Sequence, residues 1–355
     1  MNPRADAEAP SRRPTLATVA RAAGVSPMTV SNAFNRPDQL SPATRERVLT
    51  VAAELGYAGP DPAARSLRRG RSDTVGVVLT EQLAYAFTDP GTVSLLHGLT
   101  SALAEAGQAL LIIPAGSDPE AKVRGAVVDA LVLLHLVPAE PAVAAARARG
   151  LPMVAAGSPR LPGMPHVGID NAAAATAAAR HLLELGHRRF GVVAMPRGLA
   201  PTAAGPVRPG IQDRVSGFRA AVEAAGAELP DHAVVEAGDH TRGAGREAAK
   251  RLLELPAGSR PTAVFAVTDV LALGVLDAAA DAGLAVPDRL SVVGFDDIAE
   301  AARSTPPLTT VAHPLFQQGR EAARLVLAQL EGRRPRSPRL DTHLVVRGST
   351  ARVPR

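Results

Sequence analysis

The sequence predicts an all-α head followed by an α/β body, and three observations carry that reading. Three short stretches before residue 57 repeat apolar residues at helical spacing between N-cap residues and glycines. From Thr74 onward, continuous apolar runs alternate with amphipathic ones, the pattern of buried parallel strands joined by helices. The charge is also divided: the first 71 residues hold eleven Arg, no Lys and six acids, a surplus of five that equals the +5 of the whole 355-residue chain. A basic head on a body without net charge is the footprint expected of phosphate binding.

The head reads as follows. Thr15 caps a first helix whose Leu16, Val19, Ala20 and Ala23 share one face, and Gly24 supplies the turn. Ser26 is the next N-cap and Pro27 the first helical residue of a second helix that reaches about Phe34. Val30, Ala33 and Phe34 face the first helix, which leaves Pro27, Met28, Ser31 and Asn32 outward as a polar, uncharged surface. Ser41 and Pro42 open a third helix with the apolar row Val48, Val51, Ala52 and Leu55, ended by Gly56. Asp61, Pro62 and Gly70 bound one very short further helix; below about 12 residues such a helix is marginal in water, so Pro62 to Arg69 is expected to fold only against a partner. The arm before Thr15 has no apolar pattern and is expected to be disordered.

In the body, TVGVVL, ALLIIP, ALVLLHL, PMVAAG, HVGID, RFGVVAM, HAVVEAG, AVFAVT, LSVVGFD and HLVVRG read as strands, with VSLLHGLTSALAEAG, AAAATAAARHLLELG and EAARLVLAQLEG among the helices. Their number exceeds one sheet of usual size, so two lobes are expected.

The head resembles that of the LacI/GalR family of transcription regulators, on Val19-Ala20, Ala22-Ala23-Gly24-Val25-Ser26, Thr29-Val30-Ser31 and Asn35, continuing through RERVLTVAAELGY. The resemblance covers all but about the first dozen residues. It implies a helix-turn-helix DNA-binding headpiece at 15–58, a hinge at 59–72, and at 73–355 a periplasmic-binding-protein type I-like core of two doubly wound lobes. Lobe one would take about 73–169 and 301–332, lobe two about 170–300 and 333–355. It also implies a homodimer on a near-palindromic operator, with a small-molecule effector between the lobes. Pro27, Met28 and Asn32 would read bases, while Thr15, Ser26, Thr29, Ser31 and Asn35 would hold the phosphate backbone. In the hinge, Leu67 would wedge into the minor groove with Arg65, Arg68 and Arg69 beside it. Many relatives carry Arg where this chain has Asn32, so the half-site differs from theirs.

For the effector the resemblance points to Arg214 and Asp296, a donor and an acceptor suited to vicinal hydroxyls, and to Tyr85 and Phe87 past the first strand. The chain departs from its relatives at Thr268, where an Asn is usual before Asp269, and at His240, where many have a stacking aromatic ring. A sugar or a nucleoside-like molecule is the expected effector.

Two other classes were weighed. GAGREA, Gly243 to Ala248, is like the dinucleotide loop of an NAD-dependent oxidoreductase, with Asp269 where a ribose-binding acid would sit, but several residues separate it from its strand and it equally fits a helix start. A transporter-type small-molecule-binding protein would share the body's fold, yet MNPRADAEAPSRRP has no apolar core of a signal peptide and no apolar run reaches membrane-spanning length. Neither an HExxH, SxxK or GxSxG pattern nor metal spacing among the nine His is visible, and Cys is absent. The sequence thus implies no enzyme, no cofactor, no membrane partner and a cytoplasmic location, and it contains no leucine heptads at its end.

Overall fold

Residues 14–59, 69–79, 86–114, 118–195 and 208–353 are described by the structure, a computed structural model. By its internal contacts the chain divides into two units, Met1–Ser72 and Asp73–Arg355.

In the first unit, α1 (Leu16–Ala23), α2 (Pro27–Asn35) and α3 (Pro42–Glu54) each begin at a hydroxyl that satisfies an orphan helical amide. Thr15 Oγ1 accepts from Thr18 N at 3.3 Å, Ser26 Oγ from Thr29 N at 3.1 Å and Ser41 Oγ from Thr44 N at 3.3 Å. Gly24 takes the left-handed conformation, φ 63°, that the tight turn from α1 to α2 needs. The small core is Val19, Ala20, Ala23, Val30, Ala33, Val48 and Ala52, closed by the edge-on contact of Phe34 with Tyr57. Leu55 lies beyond the last residue of α3 and is 38% exposed, so the apolar row of that helix is buried at Val48 and Ala52 and only half-buried at Val51.

The second unit opens with a parallel sheet of β1 (Thr74–Leu79), β2 (Ala109–Pro114), β3 (Ala130–Leu134), β4 (Met153–Ala156) and β5 (His166–Val167), in the order β2-β1-β3-β4-β5. Helices α4 (Pro90–Glu105), α5 (Pro119–Gly125) and α6 (Pro141–Ala148) connect its strands. After α7 (Asn171–Glu184) a second sheet forms from β6 (Phe190–Ala194), β7 (Val234–Glu236), β8 (Ala263–Ala266), β9 (Ser291–Asp296), β10 (Thr309–Ala312) and β11 (His343–Val345). Its order is β11-β10-β9-β8-β6-β7, parallel except for β11 against β10. Helices α8 (Pro209–Ala224), α9 (Arg242–Leu253), α10 (Asp269–Asp281) and α11 (Ala299–Arg303) belong with it, while α12 (Leu315–Leu330) returns to pack on α4 and on β3 and β4. In both sheets the first strand lies between the second and the third, so each has its chain-direction switch beside β1 or β6.

The structure differs from the sequence reading at the last strands of the second lobe, and agrees with the helix start read at Gly243 to Ala248. The sequence reading returns the chain to lobe one at about 301, directly after LSVVGFD and before the late strand HLVVRG; in the structure α11 is followed by β10, parallel to β9, and the chain crosses back between Ala312 and Leu315. LTTVA, which contains two threonines, is a strand that the sequence reading did not include. Both are buried all the same, their hydroxyls used up internally: Thr310 Oγ1 donates to Asp269 Oδ1 at 2.5 Å, and Thr309 Oγ1 lies 3.2 Å from Thr350 Oγ1. Gly243 to Ala248, the dinucleotide-loop candidate, lies inside α9, whose start is capped by Thr241.

Glycine sets the helix packing within this unit. A methyl group on Gly98 of α4 would meet Phe316 O at 1.9 Å, and one on Gly319 of α12 would meet Leu95 O at 2.0 Å. Gly217 of α8 is as close to Ala172 O on α7, at 2.3 Å, and Gly274 of α10 to Arg242 O on α9, at 2.2 Å. These three helix pairs touch backbone to backbone.

Candidate functional site

Two groups of residues were singled out from the sequence, and they lie in different units. On the head, Met28 is 68% exposed on the first turn of α2, with Pro27 and Ser26 also exposed and Thr29, Ser31 and Asn32 half-buried along the same helix. The Asn32 amide donates from Nδ2 to Gln39 Oε1 at 3.3 Å, so one of its hydrogens is engaged and its carbonyl is not. Asn35 turns back on its own helix, donating to Ser31 O at 2.9 Å. The hydroxyls of Thr15 and Ser26 serve as caps, which fixes their positions at helix N-termini, where backbone amides favour an anion. Arg65 and Leu67 lie outside the described residues, as does Tyr85.

In the second unit a cavity of 330 Å³ opens between the two sheets. Its lining follows from the topology: His135 comes directly after β3, Gly157 and Ser158 after β4, Met195 after β6 and Thr268 after β8. Asp296 ends β9 and His313 follows β10. Six strands therefore deliver a residue at or just past their carboxyl ends to one place. Arg214 reaches it from α8, Asn171 from α7 and Gln318 from α12.

Arg214 and Asp296 form the centre. Arg214 Nη1 lies 3.3 Å from Asp296 Oδ1 and donates to Val267 O at 2.7 Å, and Nε donates to Asn171 Oδ1 at 2.9 Å. The guanidinium rests on the ring of Phe295, 3.6 Å from its centroid. Burial lowers the Arg214 pKa, with Asp296 acting against it. Burial alone would raise the Asp296 carboxyl, but Arg214 and His313 outweigh it and hold it below the ordinary carboxylate value. Asp296 and Asp297 both have positive φ, 115° and 55°, a conformation that costs non-glycine residues roughly 1–3 kcal/mol each and persists only under restraint. The restraints are Arg214 on Asp296 and, on Asp297, a 2.6 Å bond from Arg347 Nη2.

The two departures from the family pattern meet each other: His240 Nε2 lies 2.8 Å from Thr268 Oγ1 at the cavity wall. Thr268 is also the N-cap of α10. Phe87 is not brought to this place; it sits on a turn, 58% exposed, and Asp89 two residues later lines the cavity instead. Among the lining residues that the sequence reading missed are Asn171, His135, His313 and Gln318. For His135 the signal was available, a polar residue directly after an apolar run. For Gln318, on a helix beside a second Gln, there was none. Burial pushes the His135 pKa down to about 3, aided by Arg208, His313 and Arg214, so the ring is neutral. No group of side chains able to hold a metal ion occurs among the described residues, and no described helix is long and apolar enough to cross a membrane.

Residues 15–59 match the model of the lacI family of bacterial regulatory proteins, and residues 179–350 that of a periplasmic binding protein-like domain. An HTH-type transcriptional regulator of Mycobacterium tuberculosis is 40% identical over 97% of this chain and 99% of its own. The HTH-type transcriptional repressor CytR of Escherichia coli is 36% identical over 96% and 97%. Among solved structures, a transcriptional regulator CelR-cellobiose complex superposes with a TM-score of 0.70 at 33% identity, covering 95% of this chain and all of that one. With a family model on the head and full-length relatives at this identity, the chain belongs to the LacI family of bacterial regulatory proteins and is a helix-turn-helix transcription regulator, not an enzyme.

Proposed function

We propose that this regulator is a repressor that binds a near-palindromic operator as a homodimer and responds to a small polyhydroxylated effector, a sugar or nucleoside-like molecule, held between its lobes. The observation that carries the effector reading is the Arg214–Asp296 pair. It is buried, mutually neutralised and aimed into a cavity to which six strand ends contribute. Arg214 Nη2, which lies 3.5 Å from His313 Nδ1, and Asp296 Oδ2 together offer a donor and an acceptor to adjacent hydroxyls. Arg and Asp balance one another in the lining, three of each, which suits an uncharged ligand. His240 and Thr268, which line the cavity, are assigned to the same ligand, and Tyr85, outside the described residues, is expected to reach it.

For DNA, Pro27, Met28 and Asn32 read base edges: the Asn amide can bond adenine N6 and N7, and Met28 offers apolar contact to a thymine methyl. Thr15, Ser26, Thr29, Ser31 and Asn35 hold phosphates, and Arg65 and Leu67 act from the hinge, Leu67 as a minor-groove wedge. The protein works where the chromosome is, in the cytoplasm.

The test is selection of bound duplexes from a random library by the purified full-length chain at a stated salt concentration. A palindromic consensus supports the dimeric reader, and enrichment of single half-sites alone would refute it. With that operator in hand, Asn32→Ala should relax the preference at one base per half-site, while Ser26→Ala weakens all sequences alike. Arg214→Ala should abolish release by any effector found. A retained response would remove Arg214 from the site.

A further inference from the structure

Behind the Arg214–Asp296 pair, a buried polar relay crosses from one lobe to the other. Gln318, in α12 of the first lobe, is fully buried. Its Nε2 donates to Val167 O of β5 at 3.1 Å, and its Oε1 lies 2.8 Å from His313 Nε2. His313, just after β10 of the second lobe, is 8% exposed and turns Nδ1 toward Asp296 Oδ1 at 3.3 Å, with Arg214 Nη2 at 3.5 Å.

The donors and acceptors admit one arrangement at the first link. A backbone carbonyl only accepts, so the Gln318 amide must present its NH₂ to Val167 and its oxygen to His313. That oxygen also only accepts, so His313 must carry a proton on Nε2. The ring's Nδ1 faces the Arg214–Asp296 pair: unprotonated, it accepts from Arg214 Nη2, and only a ring protonated on both nitrogens donates from Nδ1 to Asp296 Oδ1. Two features make the link hard to rearrange: Gln318 is fully buried, and an amide flip would set NH₂ against an Nε2 hydrogen and oxygen against a carbonyl.

We infer that Gln318 is a positioning residue for effector binding: by holding the Nε2 hydrogen of His313 it fixes the ring whose other nitrogen faces the Arg214–Asp296 pair, and by its bond to Val167 it ties that arrangement to the first lobe. This inference rests on the polyol site proposed above. No other residue in the cavity links side chains of both lobes through a fully buried amide, among the described residues. The other charged or titratable groups near His313 are Asp296, Arg214 and His135; the last is kept neutral by its burial and does not compete for the proton.

The experiment is a long-range ¹⁵N–¹H spectrum of histidine-labelled full-length protein, wild type and Gln318→Met, followed by titration of each with D-ribose, cellobiose and myo-inositol. In the wild type, His313 should show a protonated Nε2; an unprotonated Nε2 overturns the inference whatever the variant does. In Gln318→Met, which keeps a similar volume without the amide, the His313 signals should move toward a mixture of tautomers, and affinity for whichever probe binds should fall by about tenfold or more. Unchanged His313 signals in a variant with the wild-type melting profile would also overturn it. If no probe binds the wild type, the polyol reading fails, while the spectrum still decides the role of Gln318. Should the methionine variant not fold, Gln318→Leu and the wild-type spectrum serve in its place.

Discussion

His135 and Asp269 show how single residues in this body respond to pH in opposite senses. Burial, with Arg208, His313 and Arg214, holds His135 at about 3, so between its ordinary value of 6.5 and about 3 the unfolded chain binds a proton that the folded chain refuses. Stability from this residue therefore falls as acid is added. Asp269 is fully buried; burial first, then Asp296, pushes its carboxyl up to about 7 from 3.8. Across that interval the folded chain holds the extra proton, and stability from Asp269 falls as the pH rises. The two contributions offset each other over most of their common range. His135→Asn, which suits the positive φ of 53° at that position, should gain stability relative to the wild type as the pH drops toward about 4. Asp269→Asn should gain relative to the wild type as the pH rises toward about 8. Urea midpoints across that range measure both, and parallel curves for a variant and the wild type would rule out the corresponding shift. At this scale the sequence disclosed residues that end an apolar run, such as Arg214's partner Asp296, or that cap, such as Thr268. It did not disclose Gln318, whose importance comes from what packs around it.

At the level of elements, the helix pairs α4 with α12, α7 with α8 and α9 with α10 depend on glycine at their crossings. Gly98→Ala or Gly319→Ala would place a methyl group about 2 Å from a carbonyl oxygen of the facing helix, and backbone cannot turn aside as a side chain can. Each should destabilise by about 1–3 kcal/mol or more, read as a lower denaturant midpoint at unchanged slope. Gly125→Ala, with nothing within 4 Å, is the control and should stay within about 0.5 kcal/mol. If Gly98→Ala behaves like the control, the close approach of α4 and α12 is not maintained in solution. Caps and apolar runs made most elements legible: all three head helices begin at Thr15, Ser26 and Ser41, as their hydroxyls predict. β10 was not legible, because buried threonines satisfied by Asp269, Ser349 and Thr350 look polar in a sequence and behave as core in the fold.

For the whole molecule, the proposed switch has a thermodynamic signature. If an effector alters operator affinity by some factor, bound operator must alter effector affinity by the same factor, and titrating each ligand with and without the other measures both. Unequal factors at equilibrium would exclude a simple two-ligand linkage. The basic head adds a second expectation: operator affinity should fall steeply with salt, and effector affinity, in a body with as many acids as bases, should hardly change. The sequence by itself determined the head, the alternation of strands and helices and the division of charge, because caps, apolar periodicity and local motifs act over a few residues; Arg214 and Asp296 were singled out through the family resemblance. Only the tertiary structure decided where the chain returns to the first lobe, which glycines let helices touch, and that His240 meets Thr268 while His313 and Gln318 stand behind Asp296. Those depend on contacts between residues far apart in the chain, and a linear pattern does not encode which distant side chain will satisfy a buried donor.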